Sequence, residues 1–214
     1  METGIIQNIE KCNLCHLSGD GYAYPRIRRG DGLKVMFIGE APGREESEQH
    51  ISFVGKSGKE LDRWISFLRL RNYYITNVVK HRPTFETNNR KDRPPSIDEI
   101  SACTNYLEEE IRSENPDLII TLGTSASYAL RCHDKNMEHN LNIPISRSII
   151  DHIETPHCYK NTKIRILNLF HPSYILRQYN MPEDSILTKH MHYLEQVYNI
   201  IKEMKAGDGQ GVWL

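Results

Sequence analysis

The sequence predicts an α/β fold in which parallel strands alternate with helices. Short apolar runs rich in β-branched residues recur along the chain, and a stretch with helical spacing follows most of them. The predicted strands cover residues 33–38, 73–79, 116–123 and 163–170. Because strand–helix repeats join strands by crossover connections, we expect the strands to run parallel.

Length and composition fit one such domain. With 214 residues and 38% hydrophobic content, the chain can bury a substantial single core. We expect one domain over residues 1–205, with residues 1–32 as an N-terminal arm and residues 206–214 as a frayed tail. A net charge of −1 does not demand a nucleic-acid partner, although residues 26–29 and 80–93 are locally basic.

Cysteine usage and hydropathy predict a cytoplasmic protein without membrane segments. The N-terminus has no basic segment followed by a long apolar stretch, and no later stretch approaches the ~20 apolar residues that a membrane span needs. Five cysteines, an odd number without an export signal, argue against a disulfide framework and leave metal binding or burial. Two of them form the motif Cys12-Asn-Leu-Cys15.

The first predicted strand leads into a sharp break at Gly39-Glu-Ala-Pro-Gly43. This loop is predicted to continue through acidic and glycine-rich sequence until a helix begins over residues 59–70. In open α/β sheets, loops at the carboxyl ends of parallel strands usually bind the ligand.

The second predicted strand carries Asn77 near its end, and a long polar connection over residues 80–95 follows it. Ser96 is a predicted N-cap, with Glu99 completing a capping box. The helix after it would present one apolar face, made of Ile97, Ile100, Cys103, Leu107 and Ile111.

The third predicted strand ends at Gly123, and residues 124–130 begin a helix. Residues 133–160 are expected to be a loop with a short hairpin. The last strand runs directly into His171-Pro-Ser-Tyr-Ile-Leu-Arg177, and residues 184–205 have the spacing of an amphipathic helix.

Glu40, Asn77, Gly123 and His171 all stand at or just past the ends of these strands, so we expect them to converge on one crevice. Taken alone, such an asparagine is usually a turn former, and a histidine before Pro-Ser is usually a structural cap. Together with Phe53, they offer a carboxylate, an amide, an imidazole and a stacking surface. This inventory suits a planar heterocycle that bears carbonyl and N–H groups.

Several motifs occur in a specific order between residues 12 and 177. They are Cys12-x-x-Cys15, Gly39-Glu-Ala-Pro-Gly43, Phe53-Val-Gly-x-x-Gly58, Ile75-Thr-Asn-Val-Val-Lys80, Asn89-Arg90, Cys103, Thr121-Leu-Gly123 and His171-Pro-Ser-x-x-Leu-Arg177. This combination resembles family 4 of the uracil-DNA glycosylases. The resemblance implies a three-layer αβα fold with a mainly four-stranded parallel sheet, uracil flipped out of DNA into the crevice, and a [4Fe-4S] cluster held by four cysteines.

The resemblance also implies a role for each matched residue around the base. Phe53 would stack on uracil, Asn77 would bond its Watson–Crick edge, and His171 would stabilise negative charge on a carbonyl oxygen as the base leaves. Cytosine would be rejected because its amino donor would meet the amide donor of Asn77. Glu46 would lie against C5 of the base and exclude the methyl group of thymine.

The remaining roles concern water and DNA. Glu40 and Asn89 are the candidates to hold the nucleophilic water, since Ala41 in the substrate site replaces an aspartate found in other branches of the superfamily. The loop over residues 171–177, which contains Ser173, would enter the DNA where the base left. Arg177 and the loop over residues 80–93, which contains Arg90, would contact phosphates. The expected partner is uracil-containing DNA, single- or double-stranded, bound by a monomer associated with the nucleoid through that DNA.

Three positions depart from the family pattern. His50-Ile-Ser-Phe53 replaces Gly-x-Pro-Phe, Arg147-Ser148 replaces Arg-Gly, and His81 replaces the third cluster cysteine. A histidine there with a longer basic loop resembles a branch that bonds covalently to abasic DNA through a loop histidine. Residues 82–95 contain no histidine, so that chemistry is not carried over.

We expect His81 to replace the missing cysteine as a cluster ligand beside Cys12, Cys15 and Cys103. There are three alternatives: Cys132 or Cys158 is the fourth ligand, the cluster has three ligands and is easily lost, or the same residues form a zinc site.

Two other functions stay open for the whole chain. One is a catalytically weak or dead relative that binds uracil-containing or single-stranded DNA, and the other is a nucleotide-binding α/β protein.

Overall fold

The computed structural model describes residues 6–17, 21–85, 91–131, 157–160, 162–180 and 185–206. One sheet has the strand order β1-β3-β2-β4-β6-β5. Its strands are β1 (Arg26–Arg28), β2 (Lys34–Gly39), β3 (Asn72–Asn77), β4 (Leu118–Leu122), β5 (His157–Cys158) and β6 (Arg165–Leu169). The four central strands run parallel, which confirms the predicted fold class. The antiparallel edge strands β1, paired with β3, and β5, paired with β6, were not predicted. Most of residues 133–160, where the sequence predicts a loop with a short hairpin, lies outside the described residues.

Six α-helices are described besides a 3-10 helix in the arm, Ile6–Lys11. They are α1 (Arg44–Gln49), α2 (Lys56–Phe67), α3 (Ile97–Glu114), α4 (Thr124–Arg131), α5 (Pro172–Gln178) and α6 (Ser185–Ala206). The prediction of a continuous loop before residue 59 was wrong. Glu45 and Glu46 lie in the first turn of α1, where carboxylates stabilise a helix, and α2 begins at once after Gly55.

Helices pack on both faces of the sheet, as the alternation of side chains along β2 shows. Val35 and Phe37 belong to a buried cluster with residues of α2 and α6, whereas Met36 and Ile38 belong to a second cluster with residues of α3 and α4. Successive side chains of a strand point to opposite faces, so the sheet lies between two helical layers. None of the described helices is long and apolar enough to cross a membrane.

The predicted capping box of α3 is present. The Ser96 hydroxyl accepts the Glu99 N–H at 3.2 Å, and the Glu99 carboxylate accepts the Ser96 N–H at 2.7 Å. The predicted apolar face was wrong only at Ile97, whose exposed fraction is 56%. Ile97 lies at the edge of that face, in line with the half-buried residues Thr104 and Glu108.

Candidate active site

The carboxyl ends of the parallel strands open into a cleft of about 830 Å³. Three of the four strand-end residues predicted to converge, Glu40, Asn77 and His171, line it directly. The fourth, Gly123, lies behind the site, because a side-chain carbon placed on it would be 3.1 Å from Cβ of His171. Other predicted site residues that line the cleft are Ala41, Glu46, Phe53 and Ser173. Asn89 and Arg90 lie outside the described residues.

Phe53 is held in a conformation that bulky residues rarely adopt. Its φ of 58° is in the left-handed region, and its ring packs directly on the backbone of Gly39. A side-chain carbon on Gly39 would lie 2.4 Å from Cζ of Phe53, so only glycine leaves room for the ring. The ring centroid is 6.0 Å from that of His171. Such strain costs on the order of 1–3 kcal/mol and is typical of ligand-binding residues.

Asn77 carries a buried acceptor without a partner. The residue is only 2% exposed, and its Nδ2 donates to the Ser52 hydroxyl at 3.3 Å. Its Oδ1 has no hydrogen-bond partner in the described part of the chain. An unsatisfied buried polar atom costs about 1–3 kcal/mol, which a ligand N–H donor in the cleft would recover.

His171 serves as the N-cap of α5. Its Nδ1 accepts the Ser173 N–H at 3.2 Å and lies 2.8 Å from the Ser173 hydroxyl. Burial, together with the smaller effect of the Arg177 charge, lowers the pKa of His171 to about 4. The ring is therefore neutral at pH 7 and carries its proton on Nε2, which makes that atom a hydrogen-bond donor.

Glu46 accepts hydrogen bonds from the backbone of the segment that follows Phe53. Its Oε1 accepts the backbone N–H groups of Val54 at 3.0 Å and Gly55 at 2.8 Å. The carboxylate thus ties α1 to the start of α2 while it lines the cleft. Its position beside Phe53 is compatible with the predicted contact to the base.

In the polar connection after β3, over residues 80–95, fewer basic side chains are free to contact a partner than the sequence indicates. Lys80 is buried against Glu110 at 2.7 Å, Arg82 pairs with Asp92 at 2.6 Å, and Arg93 pairs with Glu99 at 2.6 Å. Lys91 is exposed and lines the cleft. Exposed Arg177 lies outside the cleft lining, with its guanidinium 5.8 Å from the ring centroid of Tyr174.

Three cysteines lie near one another on the α3 side of the sheet. Cys103 is buried in the cluster that contains the α3 residues, and half-buried Cys15 packs against that cluster. Burial is the main reason that the pKa of Cys103 is raised to about 11; Lys80 opposes the rise, and the thiols of Cys15 and Cys12 add to it. In the part of the chain that the structure describes, no three His, Cys, Asp or Glu side chains are arranged to hold a metal ion.

The other predicted ligands differ in their positions. His81 follows Lys80, is 3% exposed and pairs as an isolated bridge with Tyr22 of the arm. Cys158 is exposed on β5, at the edge of the sheet remote from β3. Cys132 lies outside the described residues.

Sequence reasoning missed two serines that support the site. Ser52 binds Asn77, and the Ser125 hydroxyl donates to Glu40 Oε2 at 2.6 Å. Ser125 could have been noticed from the sequence, because it comes only two residues after Gly123 at the end of a predicted strand. Ser52 is a departure from the family pattern, and only the structure explains it.

The known proteins that this chain resembles belong to one family. The model of the uracil DNA glycosylase superfamily matches residues 28–199. The chain is 30% identical to the type-4 uracil-DNA glycosylase of Archaeoglobus fulgidus over 183 residues. These residues make up 84% of this chain and 85% of that protein. It is 39% identical over 142 residues to the enzyme of the same name from Saccharolobus solfataricus, covering 63% of this chain and 61% of that protein. The similar protein from Pyrobaculum aerophilum is 40% identical over 131 residues, which are 59% and 61% of the two chains.

Proposed function

The chain belongs to the uracil DNA glycosylase superfamily, and from this we propose that it removes uracil from DNA by hydrolysing the N-glycosidic bond. The observation that carries the proposal is the buried Asn77 Oδ1, which has no partner among the described residues and lies beside a strained aromatic ring and a neutral histidine. Asn77 would match the Watson–Crick edge of one flipped-out base, Phe53 its face and His171 its carbonyl oxygen.

Phe53 and Asn77 would select the base. The ring of Phe53 stacks on the face of uracil, and Asn77 Oδ1 accepts the N3–H while its amide donates to O4. Cytosine has an acceptor at N3 and a donor at its amino group, so both contacts would be mismatched. Glu46 and Ala41 complete the pocket, with Glu46 against C5, where thymine carries its methyl group.

His171 would act when the glycosidic bond breaks. Negative charge then develops on the carbonyl oxygen of the departing base, and positive charge develops on the sugar. The Nε2–H of the neutral imidazole donates to that oxygen, and its orientation is fixed in advance by the Ser173 N–H on Nδ1. Glu40, with Asn89, holds the water that attacks the sugar, and its negative charge favours the cationic sugar.

Ser173, Arg177 and Arg90 would contact the DNA around the extruded nucleotide. Ser173 lines the cleft at the start of α5, and exposed Arg177 lies one helical turn further on. Since several basic side chains after β3 are engaged in internal ion pairs, we expect a modest number of phosphate contacts.

The direct test is incubation with end-labelled oligonucleotides that contain one uracil or one thymine, followed by alkali. We expect alkali-labile strands from the uracil substrate and none from the thymine substrate, because the pocket selects on the Watson–Crick edge and on C5. Single- and double-stranded substrates tested in parallel give the strand preference. Retained binding to uracil-containing DNA without cleavage would overturn the proposal and identify a DNA-binding relative.

We further propose a [4Fe-4S] cluster held by Cys12, Cys15, Cys103 and His81. Half-buried Cys15 packs against the cluster that contains buried Cys103, and this packing supports the donor set. A cluster distributes its ligands over separate iron atoms, so they need not converge on one point as a mononuclear zinc site requires. When bound, it would tie the arm to α3 and to the segment after β3.

His81 is the proposed fourth ligand because of its neighbours. The Lys80 ammonium pairs with Glu110 on α3, the helix that carries Cys103, and His81 is the next residue in the chain. The bridge between His81 and Tyr22 also fastens this segment to the arm that carries Cys12 and Cys15. Histidine is a known substitute for cysteine on cluster iron.

Metal and sulfide analysis of anaerobically purified protein tests this assignment. We expect iron and sulfide in equal amounts in the wild type and in His81→Cys, and loss of most cluster absorption in His81→Ala. The control is His50→Ala, which removes an exposed ring stacked on Tyr22 and should leave the cluster intact. A full cluster in His81→Ala would exclude His81 as a ligand, and zinc in place of iron would exclude the cluster.

A further inference from the structure

The Glu40 carboxylate is oriented by one short hydrogen bond from a residue on another element. Ser125 Oγ lies 2.6 Å from Glu40 Oε2, and Ser125 is 8% exposed. From this contact we infer that Ser125 is a positioning residue, which fixes Glu40 so that it can hold the attacking water. The inference rests on the proposed glycosylase function and deepens it by adding a residue that acts only through Glu40.

The helix that presents Ser125 is firmly anchored. Ser125 lies in the first turn of α4, after Gly123, whose φ of 91° turns the chain sharply from β4 into the helix. Two residues later, the Ser127 hydroxyl lies 2.9 Å from the hydroxyl of Thr121 on β4 and donates to Asn168 Oδ1 on β6 at 2.8 Å. The first turn of α4 is thus bonded to two central strands, and its hydroxyl at Ser125 has little freedom to move.

The backbone around Glu40 is equally constrained. The Gly39 carbonyl accepts the Val78 N–H at 2.9 Å, and the Glu40 carbonyl accepts the Val79 N–H at 3.1 Å. The side chain therefore projects from a fixed point, and Ser125 fixes its far end. A side chain held at both ends loses little rotamer entropy when it binds water, which favours a productive geometry.

The bond also makes the two carboxylate oxygens of Glu40 different from each other. Oε2 accepts the hydrogen bond from the Ser125 hydroxyl, whereas Oε1 accepts no hydrogen bond from the residues that the structure describes. The free oxygen belongs to a residue that lines the cleft, on the same edge of the sheet as His171. An oriented acceptor with one open oxygen is the arrangement needed to align a water molecule toward the sugar.

Single-turnover excision of uracil by Ser125→Ala tests this inference. Because Glu40 would lose a hydrogen bond to its charged carboxylate, we expect the rate constant to fall on the order of tenfold or more, with unchanged half-saturation by DNA. Ser125→Thr keeps the hydroxyl and should restore most of the rate. Ser113→Ala, which removes an exposed hydroxyl from α3, is the matched control for losing a helical serine.

A double-mutant cycle separates positioning from general support. In a Glu40→Gln background, the Ser125→Ala change should have little further effect, since Ser125 acts through the carboxylate. An equal loss of rate in both backgrounds, or a wild-type rate for Ser125→Ala, would overturn the inference. Absence of uracil excision by the wild-type protein would instead overturn the proposed function itself.

Discussion

His171→Ala is expected to lower the single-turnover rate of uracil excision by about 10²–10³-fold, the usual loss when one preorganised donor to a developing oxyanion is removed. The imidazole is neutral at pH 7 because burial lowers its pKa to about 4, so the donor that is lost is its Nε2–H. DNA binding should change much less than the rate, since the charge on the base arises only as the bond breaks.

The control for this variant is His192→Ala. His192 is an exposed histidine on α6, where its ring contacts Gln196, and its loss should leave the rate unchanged. Because His171 also caps α5, thermal unfolding of both variants must be compared to separate a folding defect from a catalytic one. A wild-type rate in a folded His171→Ala protein would remove this residue from the proposed mechanism.

The local sequence patterns were sufficient to predict the central sheet. β-Branched runs identified the four parallel strands, and the Ser96–Glu99 pair located the start of α3, because capping and alternation are short-range effects. The edge strand β1 was missed since it has only three residues and depends on pairing with β3. α1 was missed because the preceding Pro42-Gly43 signals a turn whatever follows it.

The candidate site was predictable as a set of residues but not as a set of contacts. Strand ends on one edge of a parallel sheet must meet, so Glu40, Asn77 and His171 could be grouped from sequence. The left-handed conformation of Phe53 arises from packing between distant segments, as does the burial of Asn77 Oδ1 without a partner in the described ranges. The burial of Lys80 arises in the same way, since its partner Glu110 lies on α3, and sequence alone assigned this lysine to a basic surface.

Lys80→Met is expected to lower the free energy of unfolding by about 3–5 kcal/mol, because it leaves a buried charge without its partner. Lys80 is 2% exposed, and its ammonium uses all three donors. They reach Thr76 Oγ1 at 2.8 Å, the Asn77 carbonyl at 2.7 Å and Glu110 Oε2 at 2.7 Å. The measurement is urea unfolding of the purified protein, followed by circular dichroism.

Two further variants make this test specific. Lys80→Met/Glu110→Leu removes both charges and should recover much of the lost stability, as replacement of a buried pair by apolar residues often does. Lys160→Met breaks a pair with Glu108 whose side chains are 36% and 38% exposed, so its cost should stay below about 1 kcal/mol. A double variant no more stable than Lys80→Met would contradict the assignment of the cost to an unpaired Glu110.

The pH dependence of Lys80→Met gives an independent check on the same pair. Burial raises the pKa of Glu110, and the Lys80 ammonium is the main group that opposes this rise. Without the lysine, the folded protein retains the Glu110 proton at pH values where the unfolded chain has already lost it. The unfolded state then binds fewer protons, so the stability deficit of Lys80→Met should grow as pH rises above about 4.5 and shrink at lower pH. A deficit independent of pH between 4.5 and 7 would mean that lost packing, and not the buried charge of Glu110, destabilises the variant.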